Sequence, residues 1–440
     1  MEWNENVKIL SPPAVTVRRR VEEYLAQHPS ATIIHLNESR VAMPLPALAV
    51  KAMKDAADEV ALPHGMKLDS PWDGYPALKS AVSRRYTEMG IDVPESDIFV
   101  VSGMETAYFS LSFLFGENNT AVTTDPGNHV IWEVNRAAGR TLRFLRADAE
   151  NAFKPMPDGR EEDLIFLSSP HSVTGAAYTR EELQKWVDFA NENGSLIFFD
   201  ASLSSFLDGE KYPRSIYEID GAKKCAAELY SFESAFGVKE LKIAYLVIPQ
   251  ALERAGERLQ KLFSAAQPAA VTPPSFVMQK AAETLLSPEV RRETENTLHR
   301  LKEVSGTLSE ELNKALLVHT GEETSPYLWV RCPDGFSSWQ TFDLFLEKAG
   351  VVVVPGSRFG AGGEGYFRLT CYGDPEETGV AAAAIVKVLK ERNEKAEQEA
   401  PQNPVDLFAE PEKEPEPGEG ETIKTIQNEP AEPEKEKDIL

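Results

Sequence analysis

Seven short apolar runs, at 98–101, 121–124, 141–145, 164–167, 196–199, 225–229 and 243–247, constrain this chain more than any other feature. Most lack the apolar–polar alternation of a half-solvated strand, and many are separated by stretches long enough for a helix. Strands that are apolar on both sides need cover on both faces, the condition met in parallel sheets with helical crossovers. The runs therefore predict an α/β fold, a mostly parallel seven-stranded sheet flanked by helices. Ligands of such sheets bind beyond the carboxyl ends of the strands, so the residues that follow each run are the first place to look for chemistry.

Ahead of the sheet, Val17, Val21 and Leu25 at helical spacing predict an amphipathic helix over 16–28. An arm of this kind is expected to pack on a neighbour. A small strand at 32–36 and helices over 46–60 and 75–89 follow, the last with Pro76 in its first turn. Inside the sheet region the clearest helix covers 181–193, opened by Thr179 as N-cap with Glu182 three residues on, and stopped at Gly194. A helical zone over 274–316 leads to strands at 327–330, 351–354 and 366–370 in a smaller α+β domain. The chain divides into an N-terminal arm that also contributes to the small domain (1–45), a large α/β domain (46–283), a small α+β domain (284–392) and an acidic tail (393–440).

With 42% hydrophobic residues over 440 positions, the chain can bury two or three cores. A formal charge of −24 opposes nucleic acid and anionic membrane surfaces, whose phosphates it repels. The three cysteines, Cys225, Cys332 and Cys371, are too far apart for a zinc spacing and too few for a disulfide framework. No basic and apolar leader opens the sequence and no apolar run reaches the roughly 18–20 residues a bilayer demands, so a cytoplasmic protein is expected. Residues 394–440 hold 15 acidic and 5 basic side chains, a net of −10, and read as a disordered tail. A docking role for the apolar island 405–408 is the alternative to a purely solubilising one.

Motifs stand at the predicted strand ends in a recognisable order. V-S-G-M-E-T-A follows the first run, D-P-G-N-H-V-I-W the second, S-S-P-H-S-V-T-G-A the fourth, and Asp200 closes L-I-F-F-D. S-F-E-S-A-F-G-V-K-E-L-K-I-A-Y spans 231–245, and V-V-V-V-P-G-S-R-F-G-A-G-G-E-G-Y-F-R-L-T-C-Y-G spans 351–373. Over roughly 30–392 this set resembles the class I/II (fold type I) aminotransferases that depend on pyridoxal 5′-phosphate. The carboxyl-terminal stretches, and P-L-P near residue 44, are similar to those of LL-diaminopimelate aminotransferases. The resemblance implies a cofactor held as a lysine imine, a homodimer with sites at the subunit interface, and an amino acid or 2-oxo acid as ligand.

Carried over position by position, the resemblance implies a phosphate cup at Ser102, Gly103, Met104, Ser231 and Lys242, the last in place of an arginine. It implies Asp200 at the pyridine nitrogen and Arg368 as a two-pronged clamp for the substrate carboxylate, with Asn37 as a further substrate contact. An arginine in a buried ion pair is the alternative for Arg368. Elsewhere the pattern is broken. Ser234 stands where the imine-forming lysine is expected, and Glu233 where a phosphate-binding serine is expected. Asn128 replaces the stacking aromatic unless Trp132 takes its place, Ser172 a longer amide donor, and Leu203 a tyrosine. Asp69 falls where the family carries a tyrosine across its dimer interface, and Glu105 adds a further negative charge near the cup.

Two readings follow. One is a family member that cannot transaminate and serves as a binding or scaffolding partner, with amino-acid binding at Arg368 as an option it keeps open. The other is an active aminotransferase using a different lysine, of which Lys239 is five residues from Ser234. A lysine-free reaction with His171 or His129 as base is a third, although His129 also reads as a capped loop histidine.

Overall fold

The computed structural model describes residues 6, 16–37, 45–62, 71–238, 241–270 and 274–399. All seven runs are strands of one sheet: β1 (Ile98–Val101), β2 (Thr120–Asp125), β3 (Thr141–Arg146), β4 (Leu164–Ser168), β5 (Leu196–Asp200), β6 (Ala226–Ser231) and β7 (Ala244–Val247). Their order across the sheet is β1-β7-β6-β5-β4-β2-β3. β7 runs antiparallel to both neighbours, and the other pairs are parallel.

Every residue of β1, β5, β6 and β7 is buried. Because successive side chains leave a strand on opposite faces, adjacent phenylalanines serve different cores. Phe199 joins Val100, Ile197, Tyr230 and Tyr245 on one face, while Phe198 joins Phe99, Phe166 and Leu246 on the other. Burying a side chain of this size stabilises by about 1.5–3 kcal/mol relative to exposure, which is why both faces are covered by helices.

The amino-terminal helix α1 (Val17–Gln27) starts at Thr16, whose hydroxyl accepts from the Arg19 N–H at 3.1 Å. Its Val17, Val21 and Tyr24 pack into a second core built around Leu328, Val330, Phe342, Phe345 and Phe367. Thus the arm covers part of its own chain. That second core lies on an antiparallel sheet ordered β8-β9-β11-β10, with β8 (His319–Thr320), β9 (Tyr327–Arg331), β10 (Val354–Pro355) and β11 (Tyr366–Thr370).

Two boundaries differ from the sequence expectation. The run 351–354 is not one strand: Val351–Val352 pairs in parallel with Ile34–His35, and only Val354–Pro355 joins β11. Short apolar runs carry no signal for which of two partners each half takes. The carboxyl-terminal helix Pro375–Glu399 also continues past 393, where a disordered tail was expected to begin. Glu, Lys, Ala and Gln are good helix formers and carry the helix onward. The rest of the tail lies outside the described residues.

The three cysteines are buried and free. Among the described residues, no helix is long and apolar enough to cross a membrane and no acidic, histidine and cysteine cluster could hold a metal ion.

Candidate functional site

The strand ends of β1, β4, β5 and β6 carry most of the residues singled out above. Beyond β6 the chain turns into the short helix α2 (Phe232–Phe236), closed by Gly237 in the left-handed region at φ 62°. Ser231 caps this helix, its Oγ accepting from the Ser234 N–H at 3.2 Å. The Ser234 carbonyl accepts from the Tyr372 hydroxyl at 3.0 Å. Its own Oγ has no hydrogen-bond partner among the described residues.

Ser102 and Gly103 lead from β1 into the helix Met104–Ser112, with Gly103 at φ 91°. This helix start is where an anion would be expected, yet side chains of the protein crowd it. Lys242 Nζ lies 2.5 Å from a Glu233 oxygen and 3.5 Å from a Glu105 oxygen. A Cβ placed on Gly103 would meet Glu105 Oε2 at 3.3 Å and Lys242 Cδ at 3.6 Å. Partial burial pulls the Lys242 pKa down, but the hydrogen bond to Glu233 and the two carboxylate charges outweigh it and raise the pKa. The Glu233 carboxylate that sequence alone suggests would repel a phosphate is instead neutralised from within.

Asp200 closes β5 and is buried; its carboxylate accepts from the Ser202 N–H at 2.9 Å and the Tyr108 hydroxyl at 3.4 Å. Burial raises its pKa above the usual carboxylate range, and burial together with Asp200 pushes Tyr108 well up. Leu203, three residues on, is buried in an apolar cluster with Phe206, Leu301, Tyr327 and Tyr372.

Asn128 is no ring mimic: its Oδ1 accepts from the Val130 N–H at 3.0 Å and caps the helix His129–Ala137. Trp132 does not substitute for a stacking ring either, because it packs edge-on against Phe144 at 5.0 Å and lies over Gly360. His171 is buried between Thr124 and Thr174. The Thr174 N–H can only donate, so Nδ1 accepts and the Nε2 proton goes to Thr124 Oγ1. Burial drops its pKa to about 4, and with both nitrogens engaged it has no lone pair for a substrate.

Arg368 sits on β11 with its guanidinium between two rings, 4.2 Å from the Tyr327 centroid and 4.4 Å from that of Phe359. Its Nη1 donates to the Ser172 carbonyl at 3.3 Å, while its buried Nε has no partner. It forms no ion pair among the described residues, which removes the buried-pair alternative. Arg368 lines a cavity of about 520 Å³ together with Asn37, His35, His129 and Arg358. Asn37 Oδ1 is hydrogen-bonded to His35 Nδ1 at 3.0 Å.

Comparison with known proteins bears on what this arrangement descends from. The model of the family "Aminotransferase class I and II" matches residues 31–385. The chain belongs to the class I and II aminotransferases. An LL-diaminopimelate aminotransferase of Prochlorococcus marinus subsp. pastoris is 33% identical over 389 residues, covering 84% of this chain and 95% of that one. The L,L-diaminopimelate aminotransferase structure from Chlamydomonas reinhardtii superposes with a TM-score of 0.82 at 28% identity, covering 89% and 98% of the two chains. A double mutant of Thermus thermophilus aspartate aminotransferase shares the fold, with a TM-score of 0.77 at 21% identity over 88% of this chain and all of the other, 100%.

An aminotransferase of this class implies pyridoxal 5′-phosphate, and the residues present do not fit it well. The position expected to form the imine has no amine, the helix start expected to take the phosphate faces the Glu105–Lys242–Glu233 cluster, and the ring-facing positions are an asparagine engaged as a cap and a leucine in the core. Lys239, Asp69 and Pro44 lie outside the described residues. Sequence reasoning missed Tyr108, Ser202, Tyr372 and Arg358. Only Tyr108 had a local signal, standing one helical turn beyond Met104 on the same face.

Proposed function

We propose that this aminotransferase-family chain no longer transaminates and binds a small amino acid or 2-oxo acid through Arg368. The observation that carries this reading is the contrast at its two cationic positions. Lys242 is saturated by Glu233 and Glu105 next to a serine in place of the lysine, whereas the Arg368 Nε edge is unpaired. Without an amine at 234 there is neither a covalent attachment for the cofactor nor the base that moves a substrate proton. A guanidinium edge held between two rings remains able to take a carboxylate in two parallel hydrogen bonds.

The test is to incubate the purified protein with pyridoxal 5′-phosphate, reduce with borohydride and map any labelled lysine. No label is expected. A label on Lys239 or any other lysine would replace this reading with that of an active enzyme. In parallel, amino acids should raise the melting temperature of the wild type and leave Arg368→Ala unaffected.

The same reading divides the chain into an arm (1–45), a large domain (46–283) and a small domain (from 284), with the tail starting beyond the helix that ends at Glu399. It also makes the protein a homodimer. Exposed Phe109, on the helix Met104–Ser112, and Phe113, which caps it, stand one turn apart; the helix packs against Leu259–Ala270, where Leu262 is exposed, and together they provide an apolar face for a second copy. Phe113→Glu should shift the sedimentation coefficient to that of a monomer.

A further inference from the structure

Where the long helix Pro288–Lys314 ends, the chain puts a leucine in a place that suits neither its backbone nor its side chain. The Leu317 N–H donates back to the Leu312 carbonyl at 3.1 Å, a closure that calls for a left-handed residue at 316. Two other helices, Arg180–Asn193 and Ser338–Ala349, meet the same need with Gly194 at φ 72° and Gly350 at φ 64°. Here Leu316 takes φ 58°, where its Cβ crowds the following carbonyl. Its side chain is 89% exposed, more than any other large apolar one among the described residues, and that of Val318, two residues on, is 67% exposed. Apolar surface left in water adds nothing to the stability of the fold, so the leucine is surplus to folding.

Both side chains line a groove of about 360 Å³ with Pro333, Leu389 and two cations, Arg331 and Arg392. Arg392, on the helix Pro375–Glu399, is fixed in place: its guanidinium lies 4.5 Å from the Phe336 centroid and donates to the Asp334 carbonyl at 2.8 Å. Arg331 closes β9 and stands 3.9 Å from the Asp334 carboxylate, whose side chain is 98% exposed, so water screens that pair. Asp334 is the one acid among the described residues lining the groove, which therefore carries an excess of positive charge on a chain of net −24. No residue lines both this groove and the cavity around Arg368.

We propose that this groove docks an extended segment of another protein in which large apolar side chains alternate with Asp or Glu. The apolar side chains cover Leu316 and Val318, and the carboxylates meet Arg331 and Arg392. Charge decides the occupant. A purely apolar segment would strip water from two guanidinium groups without replacing the hydrogen bonds they lose. A basic segment is repelled by them. A second copy meeting this face through a two-fold axis would set the arginines of one chain against those of the other. The inference goes beyond amino-acid binding at Arg368 and stands without it.

Panning a phage-displayed library of random heptapeptides on the immobilised full chain should enrich sequences that combine large apolar residues with Asp or Glu. The most enriched peptide, labelled with fluorescein and followed by polarisation, should bind Leu316→Asn about tenfold or more weakly than the wild type. Arg331→Gln and Arg392→Gln should each weaken it about threefold or more and flatten its dependence on salt. Leu316→Asn should keep or raise the melting temperature, because asparagine tolerates the left-handed backbone and leaves no apolar side chain in water. A melting temperature lower by several degrees would show that the fold needs the leucine, and overturns the proposal. No enrichment, enrichment of basic or purely apolar peptides, or binding indifferent to Leu316→Asn overturns it as well. A change in the sedimentation coefficient of the chain alone on Leu316→Asn would assign the face to a second copy, and overturns it in that favour.

Discussion

Arg368 and Lys242 are two cations at positions where the family resemblance implies anion binding, and the chain treats them in opposite ways. Lys242 is closed off by two of the protein's own carboxylates, whereas Arg368 is stacked between Tyr327 and Phe359 with an edge unpaired. A cation neutralised from within has no net attraction left for a ligand, while one rigidly stacked and unpaired has nearly all of it. The difference teaches that a cation kept in the chain is closed to an outside anion once the chain's own carboxylates reach it. Arg368, braced by two rings, keeps an edge that no carboxylate among the described residues reaches.

The largest expected effect tests the rigid side. Trp329 is fully buried, stacks on Tyr366 at 5.3 Å and meets Phe359 edge-on at 5.9 Å. Trp329→Ala should lose about 3–5 kcal/mol of stability in a denaturant titration. A loss under about 1 kcal/mol would mean that the wall behind Arg368 is not what holds it.

On the closed side, the double variant Glu105→Ala, Glu233→Ser should bind inorganic phosphate about tenfold more tightly than the wild type, because the lysine regains an unmet charge. In that background Ser234→Lys should be labelled by pyridoxal 5′-phosphate and borohydride, and in the wild-type background much less so. No gain in phosphate binding would show that the carboxylates are not what closes the cup.

Asp200 gives a smaller effect of revealing sign. Its folded-state pKa is raised by burial, so the native state prefers the protonated form, and wild-type stability declines as pH rises from the ordinary carboxylate range through that raised value. Asparagine retains an acceptor for the Ser202 N–H and can donate to Tyr108, so Asp200→Asn should gain about 1 kcal/mol at neutral pH. That advantage should vanish as the pH falls below the carboxylate range. A destabilised variant in thermal melts would indicate that Asp200 still holds a positive partner. Smallest of all, Ser234→Ala should change stability by less than about 0.5 kcal/mol, since its hydroxyl bonds to nothing among the described residues.

Much of this molecule could be read in advance. Unbroken apolar runs made the sheet strands legible because strands covered on both faces admit few alternatives. Thr179 and Glu182 form the capping box their spacing implies. By contrast, the division of 351–354 between two sheets depended on which partners the fold brought alongside.

The residue sequence by itself determined which side chains exist at the strand ends, a serine at 234 among them, because covalent chemistry depends on atoms that are present or absent. Tertiary structure alone decided which charges are answered. Glu105, Glu233 and Lys242 come from three separate segments, and Arg358 and Arg368 from two sides of one loop. Coulomb energies follow distance and burial, which packing sets and sequence order does not.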